Sequence, residues 1–148
     1  MLPEHPELMR FVRGEIDAAA FPHREHVRMA FEMLRRHDFA ESVLHFSRAL
    51  RAITAHAGKP QAFHQTITVA FLALIAERME STQAGDFAAF ERENPDVFDK
   101  AALARWYPRE RLAADITRRI FVLPDPPQPA GGGAALATPP AATAPAAR

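Results

Sequence analysis

The chain has no cysteine. That absence excludes disulfides, thiolate metal ligands and a cysteine nucleophile, and it fits a reducing compartment. Excess charge of one sign is also missing, with 18 Lys and Arg against 18 Asp and Glu. The basic footprint of a nucleic-acid binder is therefore not present. No apolar run reaches the roughly 20 residues that a bilayer-spanning helix needs. The opening MLPEHPELMRF lacks the basic segment and apolar centre of a signal peptide. Together these absences predict a cytoplasmic protein with no membrane and no nucleic-acid partner. Also absent are a glycine-rich phosphate loop, the HExxH pattern of zinc hydrolases, and an internal repeat.

Against these gaps stand seven histidines and thirteen prolines in 148 residues. The length suits one ordinary domain. More than half of the prolines lie from Pro124 onward, in a stretch of Pro, Ala and Gly with almost no charge. Such a segment cannot bury enough apolar surface to offset chain entropy. The expected organisation is a helical domain over residues 1–123 and a disordered tail over 124–148.

The longest nearly uninterrupted apolar stretch is AFHQTITVAFLALIAERME, residues 62–80. Its apolar positions cover most of a helical circumference, the pattern of a helix buried among others. Thr, Ile and Val between 66 and 71 also suit a strand. The pattern runs on through Ala, Leu and Met for over a dozen residues, which favours helix. Positions 64, 67, 68, 71, 75 and 78 then share one face, so His64 and Thr68 are neighbours one turn apart.

Other helices are expected around this one. Residues 7–13 form a first helix with Leu8, Phe11 and Val12 inward, closed by Gly14 in a left-handed conformation. After a connection over 15–20, Phe21-Pro22 opens a second helix that runs to about Arg36. Its stripe is Val27, Ala30, Phe31 and Leu34, with Glu32 and Arg35 facing outward. A third helix spans about 39–57, burying Val43, Leu44, Phe46, Ala49, Leu50 and Ile53. Asp86 caps a short helix over 87–94. Another short helix or turn covers 97–105, and Pro108 opens a last helix to about 120 with Leu112, Ile116 and Ile120 on one face. Trp106 and Tyr107 read as core anchors, and Phe121-Val122-Leu123 packs back onto the body. Short turns between consecutive helices favour antiparallel packing. The fold class is all-α, a bundle of five to seven helices.

The chemistry sits in the histidines. His23 and His26 are three apart in the first turn of a helix and can point to one side. His64 stands at the start of the central helix. If those ends meet, three imidazoles converge and leave open positions, the arrangement of a catalytic zinc site; imidazole equally suits iron and copper. A divalent transition metal is thus the expected cofactor, able to polarise a small-molecule substrate or activate water. No general base is evident, because Glu25 points away from both histidines and Glu77 lies roughly 20 Å along the helix from His64. The competing reading is a non-enzymatic ligand-binding or interaction module whose histidines hydrogen-bond a ligand or one another. His5, His37, His45 and His56 read as helix-end or surface residues. Arg111, Arg118 and Arg119 read as a solvated face, with reception of an anionic substrate as the alternative. Nothing in the sequence specifies an oligomeric state.

The ordered set FxxGxID, FPHREHVRMAF, FHQTITVAFLALIAER, RWYPRERL and RRIFVLPD resembles a family of small bacterial proteins with no established activity. Its motifs are F-x-H-x-x-H-[LV]-R, H-[EQ]-T-I-T and F-V-x-P-D, and the likeness covers roughly residues 8–126. It implies that His23, His26, His64, Thr66, Thr68 and Asp125 matter, without saying how. Gln65 stands where many members carry Glu. A role for that Glu as base or ligand would be lost in this chain. Pro108 likewise replaces a common Ser cap.

Overall fold

The helix at the centre of the molecule is α4 (Gln65–Thr82), and it packs against helices from both ends of the chain. The structure is a computed structural model that describes residues 2–126. Before α4 come α1 (Pro6–Val12), α2 (His23–Arg36) and α3 (Phe39–His56). After it come α5 (Phe87–Glu93), α6 (Arg109–Ala113) and α7 (Asp115–Arg119). Single 3₁₀ turns lie at Ala18–Ala20, Pro60–Ala62, Pro95–Phe98 and Ala102–Arg105. Among the described residues there is no strand, so the all-α expectation holds, and no helix is long and apolar enough to cross a membrane. The tail expected from residue 124 lies, from residue 127 onward, outside the described residues. Up to Pro126 the chain is placed, with Asp125 paired to Arg111 at 3.2 Å.

The core is built where the stripes predicted. Val27, Ala30 and Phe31 of α2, Phe46, Ala49 and Ile53 of α3, and Leu72, Leu74 and Ile75 of α4 are all buried. Phe31 joins α2 to α5 through Phe90, ring centroids 5.1 Å apart. Phe11 joins α1 to α3 through Phe46 at 4.7 Å. Gly14 ends α1 with φ +72°, and a Cβ there would sit 2.8 Å from the Ala52 Cβ of α3. Glycine thus does two jobs at that position: it adopts the left-handed backbone and lets α1 approach α3.

Several boundaries and faces differ from expectation, each for a local reason. The central helix starts at Gln65 rather than Ala62, because Pro60–Ala62 forms a separate 3₁₀ turn. Pro22 is the N-cap of α2 and not its first helical residue. Glu32 is buried, since Arg35 and Arg36, one turn on, fold over its carboxylate. Leu44 and Val12 are exposed instead of buried, and Trp106 is 39% exposed while Tyr107 is the anchor. The single helix expected after Pro108 is two. Ala114 breaks it with an extended ψ of 134°, and the Thr117 hydroxyl donates to the Ala114 carbonyl at 2.6 Å. That break turns Thr117 inward and leaves Ile116 and Ile120 half exposed.

Candidate functional site

His64 is fixed by the way its helix begins. Its backbone is extended, and its Nδ1 accepts from the Ile67 amide at 3.1 Å, which satisfies one of the free N–H groups of the first turn. Accepting at Nδ1 places the ring proton on Nε2, which donates to the Leu112 carbonyl of α6 at 2.8 Å. The Thr117 hydroxyl lies 3.3 Å from the same nitrogen. Burial first, and then the Arg118 charge, hold the His64 imidazole below its ordinary pKa. His64 is therefore a neutral imidazole with both nitrogens engaged. It couples the start of α4 to α6 and α7.

His23 and His26 sit in the first turn of α2, as the Pro22 start and the three-residue spacing predicted. His23 Nε2 donates to the Val97 carbonyl at 3.1 Å, and its ring meets Phe71 edge-on, centroids 4.9 Å apart. His26 Nε2 donates back to the Phe21 carbonyl at 3.1 Å, and its ring stacks on Phe21 at 4.2 Å. Burial, and then the neighbouring His23, push the His26 pKa down to about 4. A carbonyl can only accept, so both rings carry their proton on Nε2. Among the described residues neither Nδ1 has a hydrogen-bond partner.

The three imidazoles line one cavity of about 220 Å³, bordered by α2, α3, α4 and the turn before α4 and partly open to solvent. Its apolar wall includes Val27 and Ala30 of α2, Phe46 and Leu50 of α3, and Ile67, Phe71, Leu72 and Ile75 of α4, with Phe63 beside His64. Thr54 and Thr68 are the remaining polar lining residues. Of the α4 face read from the sequence, His64, Ile67, Thr68, Phe71 and Ile75 line the cavity, while Arg78 pairs with Asp96 instead. The contributions of Phe46, Leu50, Thr54 and Phe63 were not anticipated as site residues. The signal for Phe46 and Leu50 lay in the α3 stripe, which reads as core until a void is seen behind it; Thr54 and Phe63 stand outside that stripe.

The metal expectation fares differently. Among the described residues no group of three His, Asp or Glu side chains is placed to hold a metal ion. The reason is local: each imidazole gives one nitrogen to a backbone carbonyl, and His64 gives its other to the cap. Coordination by His64 would require breaking one of those two bonds. Sequence spacing reveals which side an imidazole is on, but not what its nitrogens already hold.

The other motif residues tie elements together. Buried Thr66 donates to the Ile120 carbonyl at 2.8 Å and accepts from the Val122 amide at 3.1 Å. This joins the start of α4 to the F-V-x-P-D segment, which Tyr107 also holds through the Val122 carbonyl at 2.7 Å. Thr68 donates to the carbonyl of His64 at 2.8 Å. Gln65 faces α3, donating its amide N–H to the Ser47 hydroxyl and accepting at its carbonyl oxygen from Arg51 at 2.9 Å. Asp125 is a surface partner of Arg111 and is not among the lining residues of the cavity.

Thr66 makes the sharpest test of this linkage. Thr66→Val keeps the shape and leaves the Ile120 carbonyl and the Val122 amide without their partner, an expected loss of about 1–3 kcal/mol. The Val122 amide should lose protection in hydrogen exchange. Unchanged protection there would mean that the C-terminal segment is held by other contacts.

No family model matches the chain, and neither the curated proteins nor the solved structures give a match.

Proposed function

We propose that the protein binds a small, largely apolar organic molecule in the cavity between α2, α3 and α4. The supporting observation is the cavity itself: about 220 Å³, walled by aliphatic and aromatic side chains, with His23 and His26 each keeping an unpartnered Nδ1. Small-molecule sites have this make-up, an apolar concave wall with a few polar groups that orient the ligand. Apolar voids of order 150 Å³ take up benzene-sized ligands in other proteins. A neutral imidazole whose Nε2 is already committed offers an acceptor at Nδ1, which a hydroxyl or N–H on the ligand can use.

The probe is 1-hexanol, an alkyl chain with one hydroxyl donor. Titration followed by amide NMR should give a Kd at or below about 1 mM, with shifts centred on Ile67, Phe71 and His26. Ala30→Leu, which places extra carbons in the void from α2, should abolish those shifts while the circular dichroism stays that of the parent. Hexanol shifts that are absent from the parent, or that persist in Ala30→Leu, would reject the cavity as a ligand site. Stoichiometric metal in protein purified without a His-tag, lost on His23→Ala, would instead return the reading to a metal centre.

A further inference from the structure

We propose that the ligand of this cavity is an organic anion, an apolar body with a carboxylate head, and that Arg51 and Arg118 receive the head. This rests on the cavity reading above and names the class of molecule it takes.

The argument starts from a second depression, of about 350 Å³, lined by Arg51, Gln61, Phe63, Asp115, Arg118 and Arg119. Phe63 lines both this groove and the cavity, so the two are neighbours across one ring. Three guanidiniums face one carboxylate there. Arg119 takes that carboxylate, with Nε 2.9 Å from Asp115. Arg51 and Arg118 are held by neutral oxygens instead: Arg51 by the Gln65 side-chain carbonyl at 2.9 Å, Arg118 by the backbone carbonyl of Gln61 at 2.9 Å. Among the described residues neither has a carboxylate partner. Arg51 is also positioned, because its guanidinium lies over the Phe63 ring at 4.8 Å.

A guanidinium presents a fork of donors that matches a carboxylate, and a neutral acceptor leaves its charge uncompensated. Two such forks thus stand beside the ring that walls the apolar cavity. A ligand whose chain fills the cavity carries its head past Phe63 to them. Gln65 sets the charge of the site: its amide oxygen orients Arg51 without neutralising it. A carboxylate at that position would occupy Arg51 from within.

The test compares hexanoate with 1-hexanol, equal in chain length but different in charge. Hexanoate should bind at least about tenfold more tightly in low salt, a preference that shrinks as salt is raised. Gln65→Glu, close to isosteric, should remove most of that preference and leave hexanol binding unchanged. Arg118→Gln should act the same way. Equal binding of the two probes by the parent, or a hexanoate preference untouched by both variants, overturns the anion assignment while the cavity reading stands. Failure of both probes to bind rejects the cavity reading and the assignment with it. Hexanoate binding that is lost in Gln65→Glu but unaffected by Ala30→Leu places the anion on the surface alone, which also overturns the assignment.

Discussion

Phe31→Ala is expected to cost about 3–5 kcal/mol, against a total stability of roughly 5–15 kcal/mol for an ordinary domain. Phe31 is 1% exposed and stands where α2 meets α5, its ring 5.1 Å from Phe90 and 5.8 Å from Phe87. Those contacts come from distant parts of the chain, so no neighbouring side chain on α2 can swing in to replace them. Truncation therefore loses both the transfer free energy of the ring and the packing around it. The Arg35 guanidinium over the same ring, at 5.3 Å from its centroid, loses its partner as well. Urea denaturation of parent and variant measures the difference. A loss below about 1 kcal/mol would mean that α5 does not close over α2.

Phe31 also shows which part of this fold is readable without coordinates. The stripe Val27, Ala30, Phe31 repeats at helical spacing, and periodicity alone puts it inside. The same holds for the shared face of α4, where Ile67, Thr68, Phe71 and Ile75 were grouped by arithmetic and all line the cavity. What periodicity could not reach was decided by contacts between distant segments. Thr117, a polar residue in a pattern that favoured Ile116 and Ile120, turns inward because its hydroxyl takes the Ala114 and Leu112 carbonyls and the helix breaks between them. Glu32 is buried because two arginines one turn later cover it, a local pairing that a hydrophobic count reads as surface.

The site divides along the same line. His23, His26 and His64 each line the same cavity, but the metal-binding cluster expected of them is not found among the described residues. What they do there was not legible, because the carbonyls of Val97, Phe21 and Leu112 that occupy their Nε2 atoms carry no sequence signature. Backbone acceptors are present at every residue, so their placement is a property of the fold alone. The motif residues Thr66 and Gln65 show the converse. They follow His64 directly in the sequence, yet one fastens the C-terminal segment and the other reaches α3. Adjacent residues on a helix point about 100° apart, so neighbourhood in a motif does not mean a shared task.

His26 gives the second large effect, and it is read through pH. Its pKa is lowered from 6.5 to about 4, chiefly by burial and then by the neighbouring His23. Above pH 6.5 the residue is neutral in both the folded and the unfolded chain and contributes no pH dependence. As the pH falls below 6.5 the unfolded chain takes up the proton, while the folded protein resists it until about pH 4. Over that window the unfolded state binds more protons, so stability is lost as the solution is acidified. Each pH unit of that window is worth about 1.4 kcal/mol, so the loss across the whole of it is of order 3 kcal/mol. His64, held low by its own burial, adds in the same direction. His26→Gln isolates the His26 share: an amide N–H can still reach the Phe21 carbonyl, but the side chain does not titrate. Denaturation at pH 7, 5.5 and 4.5 should give a clearly flatter stability profile in the variant than in the parent. Carboxylates that respond to acid, such as Asp96 beside Arg78, are common to both proteins and cancel in the comparison. Parallel profiles would mean that the His26 ring is protonated within the folded protein, and that its lone pair is not held free for a ligand in this cavity.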